Sequence, residues 1–580
     1  MTAFKTGRLL LVTIAMAIVF TPLRAQDIRG GASMPATERV VVQHGMVVAQ
    51  ERLAADIGTE FLKQGGNAID AAVATGFAMA VTYPRAGNLG GGGFMVIHLA
   101  DGRDVAIDYR ETAPAAATRD MFLGIDGKPD DAKSRDSALG IGVPGTVAGL
   151  ALALDTYGSG KFTLAQILKP ALALARDGVS VADDIADTLP SMVRRMQRWP
   201  QSLKIFSRAD GTLLREGDLL KQPDLADTLQ AIADRGPRGF YEGVVAEKLS
   251  RGIVAAGGLI TTDDLKAYQA VERAPVRGSY RGFDLIAMPL PSSGGIVLIE
   301  TLNMLEGFAL ADMAQGSPPS LHLLIESMKR AYADRARFLG DPKFANAPVT
   351  TLLSKDYAMK QRASIDPAQA TPWMSALDAT SPVALPREGS NTTHYSVIDS
   401  AGNAISNTYT LNFSYGVGLV PDGTGVLMNN EMDDFTAAPG ASNASGLVGF
   451  EANLPGPGKR PLSSMSPTIV LKDGKPVLVT GSPGGSLIIS TVLQVIVNAL
   501  DYKMDISAAV SAPRLHHQWL PDEVRIERGF PDATLDALRA MGHIVKEPMG
   551  QTSANSIAVT PQGIAGAADP RTRGAIAAGY

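Results

Sequence analysis

The sequence predicts an α+β fold, and three stretches carry that prediction. Residues 51–82 show two successive helical patterns, and helical patterns also dominate from about 140 to 340. After residue 390 the pattern changes to hairpins, with strand-like stretches at 392–399 and 404–411 and again at 466–471 and 476–481. Runs of helices together with antiparallel hairpins are typical of α+β proteins.

The composition excludes several classes of protein. The chain has 580 residues, a formal charge of −5 and no cysteine, so it has no thiol nucleophile, disulfide, zinc-thiolate site or iron–sulfur cluster. Its near-neutral charge argues against a nucleic-acid partner. We predict neither a metal nor a cofactor: His516 and His517 are adjacent, so on an extended chain they point in opposite directions, and no third ligand follows at useful spacing.

Residues 1–25 have the pattern of a signal peptide. Lys5 and Arg8 precede an almost wholly apolar stretch over 9–20, which is shorter than the roughly 20 residues of a membrane span. Pro22 then interrupts the helical pattern, and Ala25 is a small residue before a cleavage point. We therefore expect a periplasmic or secreted protein without a stable membrane anchor. A short anchor is the alternative.

Several individual elements can be placed. Asn67 and Asp70 form an N-cap pair for the second helix. The glycine run 90–93 lacks a phosphate-loop or dinucleotide pattern, and close packing explains it better. A helix is expected over 487–500, directly after the turn at 482–486. The segment 341–390 has no clear period and is expected to be an exposed, mobile connection.

The first chemical candidate is the start of the hairpin at residue 392. Strand alternation places Thr408 and Thr410 on one face, beside the start of the neighbouring strand. If the chain is cut before Thr392, that residue gains an α-amine with a pKa of about 7.7–8.0 next to its own hydroxyl. One residue would then carry both nucleophile and base. The alternative is a plain strand start with surface threonines.

Two further groups could recognise a substrate. Gly484 and Gly485, between a strand and a helix, could present backbone N–H groups to a developing oxyanion. Arg110 could hold a carboxylate, and the acidic run 429–434 could hold an ammonium group, which together would suit an amino-acid end. Taken singly, these features are equally those of an ordinary turn and of surface salt bridges. No G-x-S-x-G elbow supports a serine triad.

Taken in order, the motifs resemble those of exported bacterial γ-glutamyltransferases, members of the N-terminal nucleophile hydrolase class. They are YRETAP (109–114), TTHYSV (392–397), NNEMDDF (429–435), KRPLSSMSPTIV (459–470) and TGSPGG (480–485). The resemblance implies a four-layer αββα sandwich formed jointly by two subunits. It also implies self-cleavage between Asn391 and Thr392, giving a large subunit of 26–391 and a small subunit of 392–580 that stay associated as a heterodimer.

The resemblance also implies a reaction and residue roles. Thr392 would attack the γ-glutamyl amide of glutathione or a related compound, and the resulting ester would pass to water or to an amino acid or peptide. Thr410 would support the nucleophile, and Gly484 and Gly485 would hold the oxyanion. The donor's α-carboxylate would bind Arg110, Ser463 and Ser464, and its α-ammonium group would bind Asn412, Glu431 and Asp434.

One position departs from the family pattern, and three alternative functions remain. Ser445 stands where many bacterial members carry an aromatic lid residue, so we expect a more open site and relatively more hydrolysis. The alternatives within the fold are a cephalosporin or glutaryl acylase and a poly-γ-glutamate depolymerase. Outside it, an exported amino-acid-binding protein would have no reason to cut itself.

Overall fold

Two seven-stranded antiparallel sheets form the centre of the molecule. The computed structural model describes residues 37–372, 392–550 and 552–580. The strands of these residues are, in chain order, β1 (Val40–Val42), β2 (Met46–Ala49), β3 (Gly92–His98), β4 (Asp104–Tyr109), β5 (Val179–Ser180), β6 (Leu219–Leu220), β7 (Val271–Arg273), β8 (Val276–Tyr280), β9 (Phe283–Ala287), β10 (Thr392–Ile398), β11 (Ala404–Thr410), β12 (Thr468–Lys472), β13 (Lys475–Thr480), β14 (Leu515–His516), β15 (Val524–Ile526), β16 (Val545–Lys546), β17 (Ser556–Thr560), β18 (Gly563–Ala567) and β19 (Ile576–Gly579).

The strand orders show how the chain is interleaved. One sheet runs β1-β18-β17-β13-β12-β9-β8 and the other β19-β2-β10-β11-β3-β4-β7; smaller sheets join β14-β15-β16 and β5-β6. Strand β10 lies between β2 and β11, and β11 pairs in turn with β3. Each large sheet therefore contains strands from before and after residue 392.

Helices cover the outer faces of both large sheets. The α-helices of the described residues are α1 (Arg52–Lys63), α2 (Ala68–Thr82), α3 (Asp131–Arg135), α4 (Thr146–Tyr157), α5 (Leu164–Asp177), α6 (Asp183–Met196), α7 (Pro200–Ile205), α8 (Pro223–Arg235), α9 (Arg238–Tyr241), α10 (Val244–Ala255), α11 (Thr262–Ala267), α12 (Gly294–Leu305), α13 (Pro318–Phe338), α14 (Val349–Leu352), α15 (Lys355–Ala363), α16 (Leu487–Leu500), α17 (Ile506–Ser511) and α18 (Asp532–Ala540).

Three apolar cores separate four layers. Between the sheets, side chains such as Phe94 and Val96 of one sheet pack with Ile469 and Val479 of the other. Helices that include α1, α2, α4 and α5 bury the opposite face of the first sheet, and α12, α13 and α16 bury that of the second. Because each strand alternates its side chains, each sheet supplies apolar residues to two cores. The predicted αββα sandwich is confirmed.

Local signals in the sequence are also confirmed. Asn67 accepts hydrogen bonds from the N–H groups of Ile69 and Asp70, and Asp70 bonds back to the Asn67 N–H, which completes a capping box at the start of α2. The expected helix over 487–500 is α16. The glycine run is close-packed, since a Cβ on Gly91 would lie 2.0 Å from the Thr410 carbonyl oxygen.

The prediction that helices dominate 140–340 is confirmed, although the short strands β5 to β9 also lie within it. In β7, β8 and β9, polar residues and glycine hide the alternation. The segment 341–390, which shows no clear period in sequence, contains the short helices α14 and α15. Its residues 373–390 lie outside the described residues.

The predicted signal peptide, residues 1–25, also lies outside the described residues. Within the part of the chain that the structure describes, none of the helices combines the length and the apolar character needed to cross a membrane.

Candidate active site

A cavity of about 740 Å³ opens where the ends of both large sheets meet the turn before α16. It brings together every predicted site residue except Asn391, which lies outside the described residues. These lining residues are Arg110, Thr392, Thr410, Asn412, Glu431, Asp434, Ser463, Ser464, Gly484 and Gly485. Residues separated by more than 370 positions in the chain therefore share one site.

Thr392 is the first residue of β10, and its hydroxyl faces the cavity. Register pairs it with Thr410 at the end of β11, so their side chains lie on the same face and their hydroxyl oxygens are 3.2 Å apart. The N–H of Asn412 donates to the Thr410 hydroxyl at 2.9 Å, which fixes that hydroxyl in place. Thr392 is only 5% exposed. The predicted pairing of the two threonines is thus present.

The imidazole nearest to Thr392 along the strand is not placed to act as a base. His394 contacts the hydroxyls of Thr408 and Ser396 at 2.9 and 3.0 Å. Burial lowers the pKa of His394 to about 3, so the ring is neutral at physiological pH. Its hydrogen bonds point along the sheet, and we assign it a structural role beneath the site.

The turn after β13 presents backbone donors to the cavity. Gly484 and Gly485 have φ values of 131° and 57°, a region that L side chains rarely adopt. Among the described residues, neither of their N–H groups has a hydrogen-bond partner. The turn also leads directly into α16, whose N-terminus carries a partial positive charge. Both features suit stabilisation of an oxyanion.

A buried cluster of charges closes one end of the cavity; we call it the closed end (Arg110, Glu431 and Asp434). Arg110, just after β4, contacts both carboxylates and donates from Nε to the Pro461 carbonyl at 3.2 Å. Burial raises the pKa of Glu431 well above its usual range, and the Arg110 guanidinium opposes this. Burial would lower the pKa of Arg110, but the two carboxylates raise it above its ordinary value.

The carboxylates of the closed end are held by a short 3₁₀ turn, Glu431–Asp434. The Asn429 side chain accepts from the Glu431 N–H at 2.9 Å and donates to the carbonyls of Gly90 and Gly142. It thus connects this turn to the chain around β3 and β4. The sequence suggested that Arg110 and the acidic run bind opposite charges of one amino-acid end; in the structure these side chains also contact each other.

Comparisons with known proteins match nearly the whole chain to one family. A family model described as Gamma-glutamyltranspeptidase matches residues 54–579. A glutathione hydrolase proenzyme of Escherichia coli (strain K12) is 50% identical over 544 residues, which cover 93% of each chain. The chain belongs to the γ-glutamyltranspeptidase family. The predicted resemblance is confirmed, and the chain is an enzyme of that family.

Proteins similar to this chain include acylases as well as γ-glutamyltranspeptidases. An acylase ACY 1 proenzyme of Pseudomonas sp. (strain SE83) is 38% identical and covers 91% of this chain and 92% of its own. A cephalosporin acylase structure from Bacillus halodurans superimposes with a TM-score of 0.81 at 27% identity, covering 94% of this chain and 97% of that one. A Helicobacter pylori γ-glutamyltranspeptidase structure gives 0.56 at 44% identity, covering 58% and 95%.

Arg335 of α13 is a buried cation next to the cavity, in contact with the cavity-lining Ser464, that the sequence reasoning missed. Its Nε and Nη2 donate to the hydroxyls of Ser293 and Ser464 at 2.9 and 3.3 Å. It has no carboxylate partner among the described residues. Burial lowers its pKa to about 10, so it stays charged near neutral pH. A signal existed: Met328, Ala331 and Tyr332 predict an apolar helix face that also includes position 335.

Glu111, the neighbour of Arg110 in the γ-glutamyltranspeptidase motif YRETAP, was also missed. It is fully buried, and neither carboxyl oxygen has a hydrogen-bond partner among the described residues. Burial raises its pKa to about 8, although the Arg110 guanidinium lies 3.9 Å away. This carboxyl is therefore largely protonated at neutral pH. Nothing in its spacing distinguished it from a surface residue.

The loop that contains Ser445 packs against the glycine turn. A Cβ on Gly485 would lie 2.7 Å from the Ser445 hydroxyl oxygen, and the Ser445 carbonyl accepts from Gln518 at 3.3 Å. Asn443 and Ala444 of the same loop donate to Asp434 and Asp433. The loop around Ser445, the residue where the resemblance predicts a departure from the family pattern, therefore contacts both the glycine turn and the acidic turn.

The adjacent histidines have separate surroundings, as the extended chain predicted. His516 contacts the Ser490 hydroxyl at 2.9 Å, whereas His517 contacts Asp522 at 3.1 Å. Across the described residues, no group of three or more His, Asp or Glu side chains is arranged to hold a metal ion. The expected absence of metal and cofactor stays a prediction.

Proposed function

We propose that this protein is a self-processing γ-glutamyltransferase that hydrolyses glutathione and related γ-glutamyl compounds. The observation that carries the proposal is the hydroxyl of Thr392, at the start of a strand, 3.2 Å from Thr410 and inside a cavity with two unpartnered glycine N–H groups. A strand start is also where a new chain terminus can form without loss of sheet pairing. The naming of its relatives as glutathione hydrolase proenzymes supports the same activity.

The first step is cleavage of the precursor between Asn391 and Thr392. The Thr392 hydroxyl attacks the Asn391 carbonyl, the peptide nitrogen becomes an amine, and water hydrolyses the resulting ester. The products are a large subunit ending at Asn391 and a small subunit of 392–580. The new α-amine has a reference pKa near neutrality and can take the hydroxyl proton in later turnovers.

The closed end recognises the glutamyl part of the donor. Arg110, Ser463 and Ser464 hold its α-carboxylate, and Asn412, Glu431 and Asp434 hold its α-ammonium group. Arg110 gives up contacts with the acids and gains the donor's carboxylate, while the acids gain its ammonium group. Because a zwitterion supplies one charge of each sign, no buried charge loses compensation. Arg335 supports this arrangement by holding the Ser464 hydroxyl and adding a second positive charge.

Catalysis then proceeds through an ester on Thr392. The hydroxyl oxygen attacks the γ-carbonyl carbon, and its proton passes through the α-amine to the leaving nitrogen. The N–H groups of Gly484 and Gly485 stabilise the oxyanion of the tetrahedral intermediate. Water, or the amine of an amino acid or peptide, attacks the ester, and the threonine oxygen regains a proton.

The acylase and depolymerase alternatives fit the closed end less well. A glutaryl or cephalosporin side chain lacks an α-ammonium group, so Glu431 and Asp434 would find no ligand partner. An internal γ-glutamyl unit of a polymer also has its nitrogen acylated and uncharged. A free γ-glutamyl terminus satisfies both signs of charge and is therefore the better ligand.

Two statements about the cell follow as part of the proposal. The pattern of residues 1–25 supports export to the periplasm or beyond. The interleaved strands support a heterodimer of large and small subunits that remain associated after cleavage.

Mass spectrometry of the purified protein, with N-terminal sequencing of each fragment, tests the proposal. We expect two subunits, the smaller beginning at Thr392, with hydrolysis of glutathione. Thr392→Ala should give one uncut chain without activity, because it removes the attacking oxygen. Thr393→Ala is the matched control: its hydroxyl points to the other face of β10 and should leave processing intact. An active, uncut wild-type protein would falsify the proposal.

A further inference from the structure

The cavity has a second end, which we call the open end (Gln518, Arg525 and Glu547). Arg525 lies on β15, directly opposite His516 of β14. Directly paired residues of antiparallel strands point to the same side of a sheet, and both of these side chains line the cavity. None of the roles assigned above uses this end.

A short series of contacts connects the open end to the glycine turn. The Ser445 loop packs against Gly485, and Gln518 donates to the Ser445 carbonyl at 3.3 Å. The Gln518 amide oxygen contacts the His516 ring at 2.8 Å. Arg525 of β15 is paired with His516 of β14. Arg525 is thus connected to the glycine turn through His516, Gln518 and Ser445, and it lines the same cavity as Thr392.

The Arg525 guanidinium has unused donors. Its Nη2 contacts the Glu523 carboxylate, but its Nε is buried and has no hydrogen-bond partner among the described residues. A guanidinium carries five N–H donors in a planar fork that matches a carboxylate. The side chain is 25% exposed, so a ligand can reach it from the cavity.

Acidic neighbours limit the positive charge of this site but leave donors of Arg525 unused. Glu523 contacts Arg525, so a ligand carboxylate would bind the guanidinium donors that this pair leaves free. Glu547 is exposed at the cavity rim, where solvent and salt screen its charge. His516 adds no charge, because burial lowers its pKa to about 3. The exposed part of the Arg525 side chain does not include Nε, so the donors available to an anionic group are those of the terminal guanidinium nitrogens that Glu523 leaves free.

We propose that Arg525 binds the C-terminal carboxylate of the peptide that leaves from, or accepts, the γ-glutamyl group. This inference rests on the proposed function. In glutathione, the donor that we propose, the amide bond from the γ-carbonyl carbon to a dipeptide breaks as Thr392 is acylated, and that dipeptide leaves with a free carboxylate. Transfer to a peptide is the reverse of acylation, so microscopic reversibility places leaving and accepting peptides in the same position.

The reaction balances without any further reactant. On transfer, the acceptor's neutral amine forms a bond to the acyl carbon, the bond from that carbon to the Thr392 oxygen breaks, and the amine's proton passes to that oxygen. Arg525 takes no part in bond making. It is a specificity-determining residue that orients the peptide through its carboxylate.

A comparison of two acceptors on two proteins tests the inference. The donor is γ-glutamyl-p-nitroanilide, and the acceptors are glycylglycine and glycylglycine amide, which differ only in the terminal carboxylate. In the wild type we expect a KM about tenfold lower for glycylglycine, as one charge-assisted hydrogen bond would give. In Arg525→Gln the two acceptors should have nearly equal KM values, and Arg525→Lys should keep part of the preference.

Matched controls separate the possible outcomes. Arg528→Gln changes an exposed arginine just beyond the same strand and should keep the wild-type preference. Equal KM values for both acceptors in the wild type, or the same preference in Arg525→Gln as in the wild type, would overturn the inference. Release of p-nitroaniline by the wild type reports acylation separately. Its absence would reject the proposed function itself, and the inference with it.

Discussion

The charged residues at the two ends of the cavity differ in how far they are buried. At the closed end, Arg110 is fully buried and contacts two carboxylates, one of them fully buried as well. At the open end, Arg525 is 25% exposed and shares only one contact with an acid, while Glu547 lies in water. The same residue types are thus almost fully desolvated at one end and partly exposed to water at the other.

This difference explains how one site can be strict for one part of a substrate and tolerant of another. Buried charges interact strongly, and an unpaired one costs several kcal/mol, so the closed end accepts only a ligand that supplies both signs in the correct places. Exposed charges contribute roughly 0–1 kcal/mol and are screened by salt. Arg525 is only partly exposed, so the open end should discriminate among leaving and accepting peptides, but less strictly than the closed end does among donors.

The largest effect should follow from changing the closed end. Arg110→Lys keeps the charge but loses the planar fork that contacts both carboxylates, which leaves a buried acid poorly compensated. We expect kcat/KM for γ-glutamyl-p-nitroanilide to fall at least about a hundredfold, as a loss of 3–5 kcal/mol would give.

Arg103→Lys is the control for that change. Arg103 precedes β4, the strand that leads to Arg110, and its ion pair with Asp101 is 66% exposed on the arginine side, so activity should stay within about twofold. A drop of only a few fold for Arg110→Lys would remove the contrast between the two ends.

A smaller effect on donor binding is expected at Arg335, which contacts Ser464 rather than the donor itself. Arg335→Gln removes a buried positive charge and weakens its hold on the Ser464 hydroxyl. The KM for the donor should rise about tenfold, as loss of one charge-assisted hydrogen bond would give, with kcat changing much less.

Steady-state kinetics and thermal unfolding distinguish a role of Arg335 in donor binding from a purely structural role. Arg337→Gln, two residues later on an exposed face of the same helix, should change neither constant. If Arg335→Gln lowers the unfolding temperature while the KM stays at the wild-type value, Arg335 supports the fold rather than the donor.

The smallest effect should come from the loop between the two ends. Ser445→Tyr restores an aromatic side chain against the glycine turn and should exclude water from the ester better than serine does. With a dipeptide acceptor, the ratio of transfer to hydrolysis should rise about threefold, or roughly 0.7 kcal/mol. Product analysis by chromatography measures the ratio, with Ser445→Ala as the control; an unchanged ratio would reject the lid argument.

Local periodicity accounts for much of what the sequence predicted correctly. The hairpin of β10 and β11 follows from strict alternation, and alternation also places Thr392 and Thr410 side by side. The capping box at Asn67 and the helix after the glycine turn are equally local. Strands β7 to β9 were not predicted because they are short and half polar, and pairing with β4, with each other or with β12, rather than their own pattern, makes them strands.

The cavity could not be assembled from spacing alone. Arg110 and Glu431 are 321 residues apart, and only the fold brings them into contact. The motif resemblance predicted their shared site, but it gave no indication that they contact each other. Arg335 and Glu111 show the same limit: burial changes the pKa of each, and burial is a property of the packed molecule.

The interleaved sheets have a consequence for how the processed enzyme would denature. Strand β10 begins at the proposed cleavage position, yet it pairs along one edge with β2, which precedes that position in the chain. Once the backbone is broken, unfolding releases two molecules instead of one, and their reunion becomes a second-order event that dilution slows. Heat or denaturant would then inactivate the mature form irreversibly at low concentration. The rate of unfolding, rather than the equilibrium free energy of unfolding, would therefore determine how long the enzyme stays active.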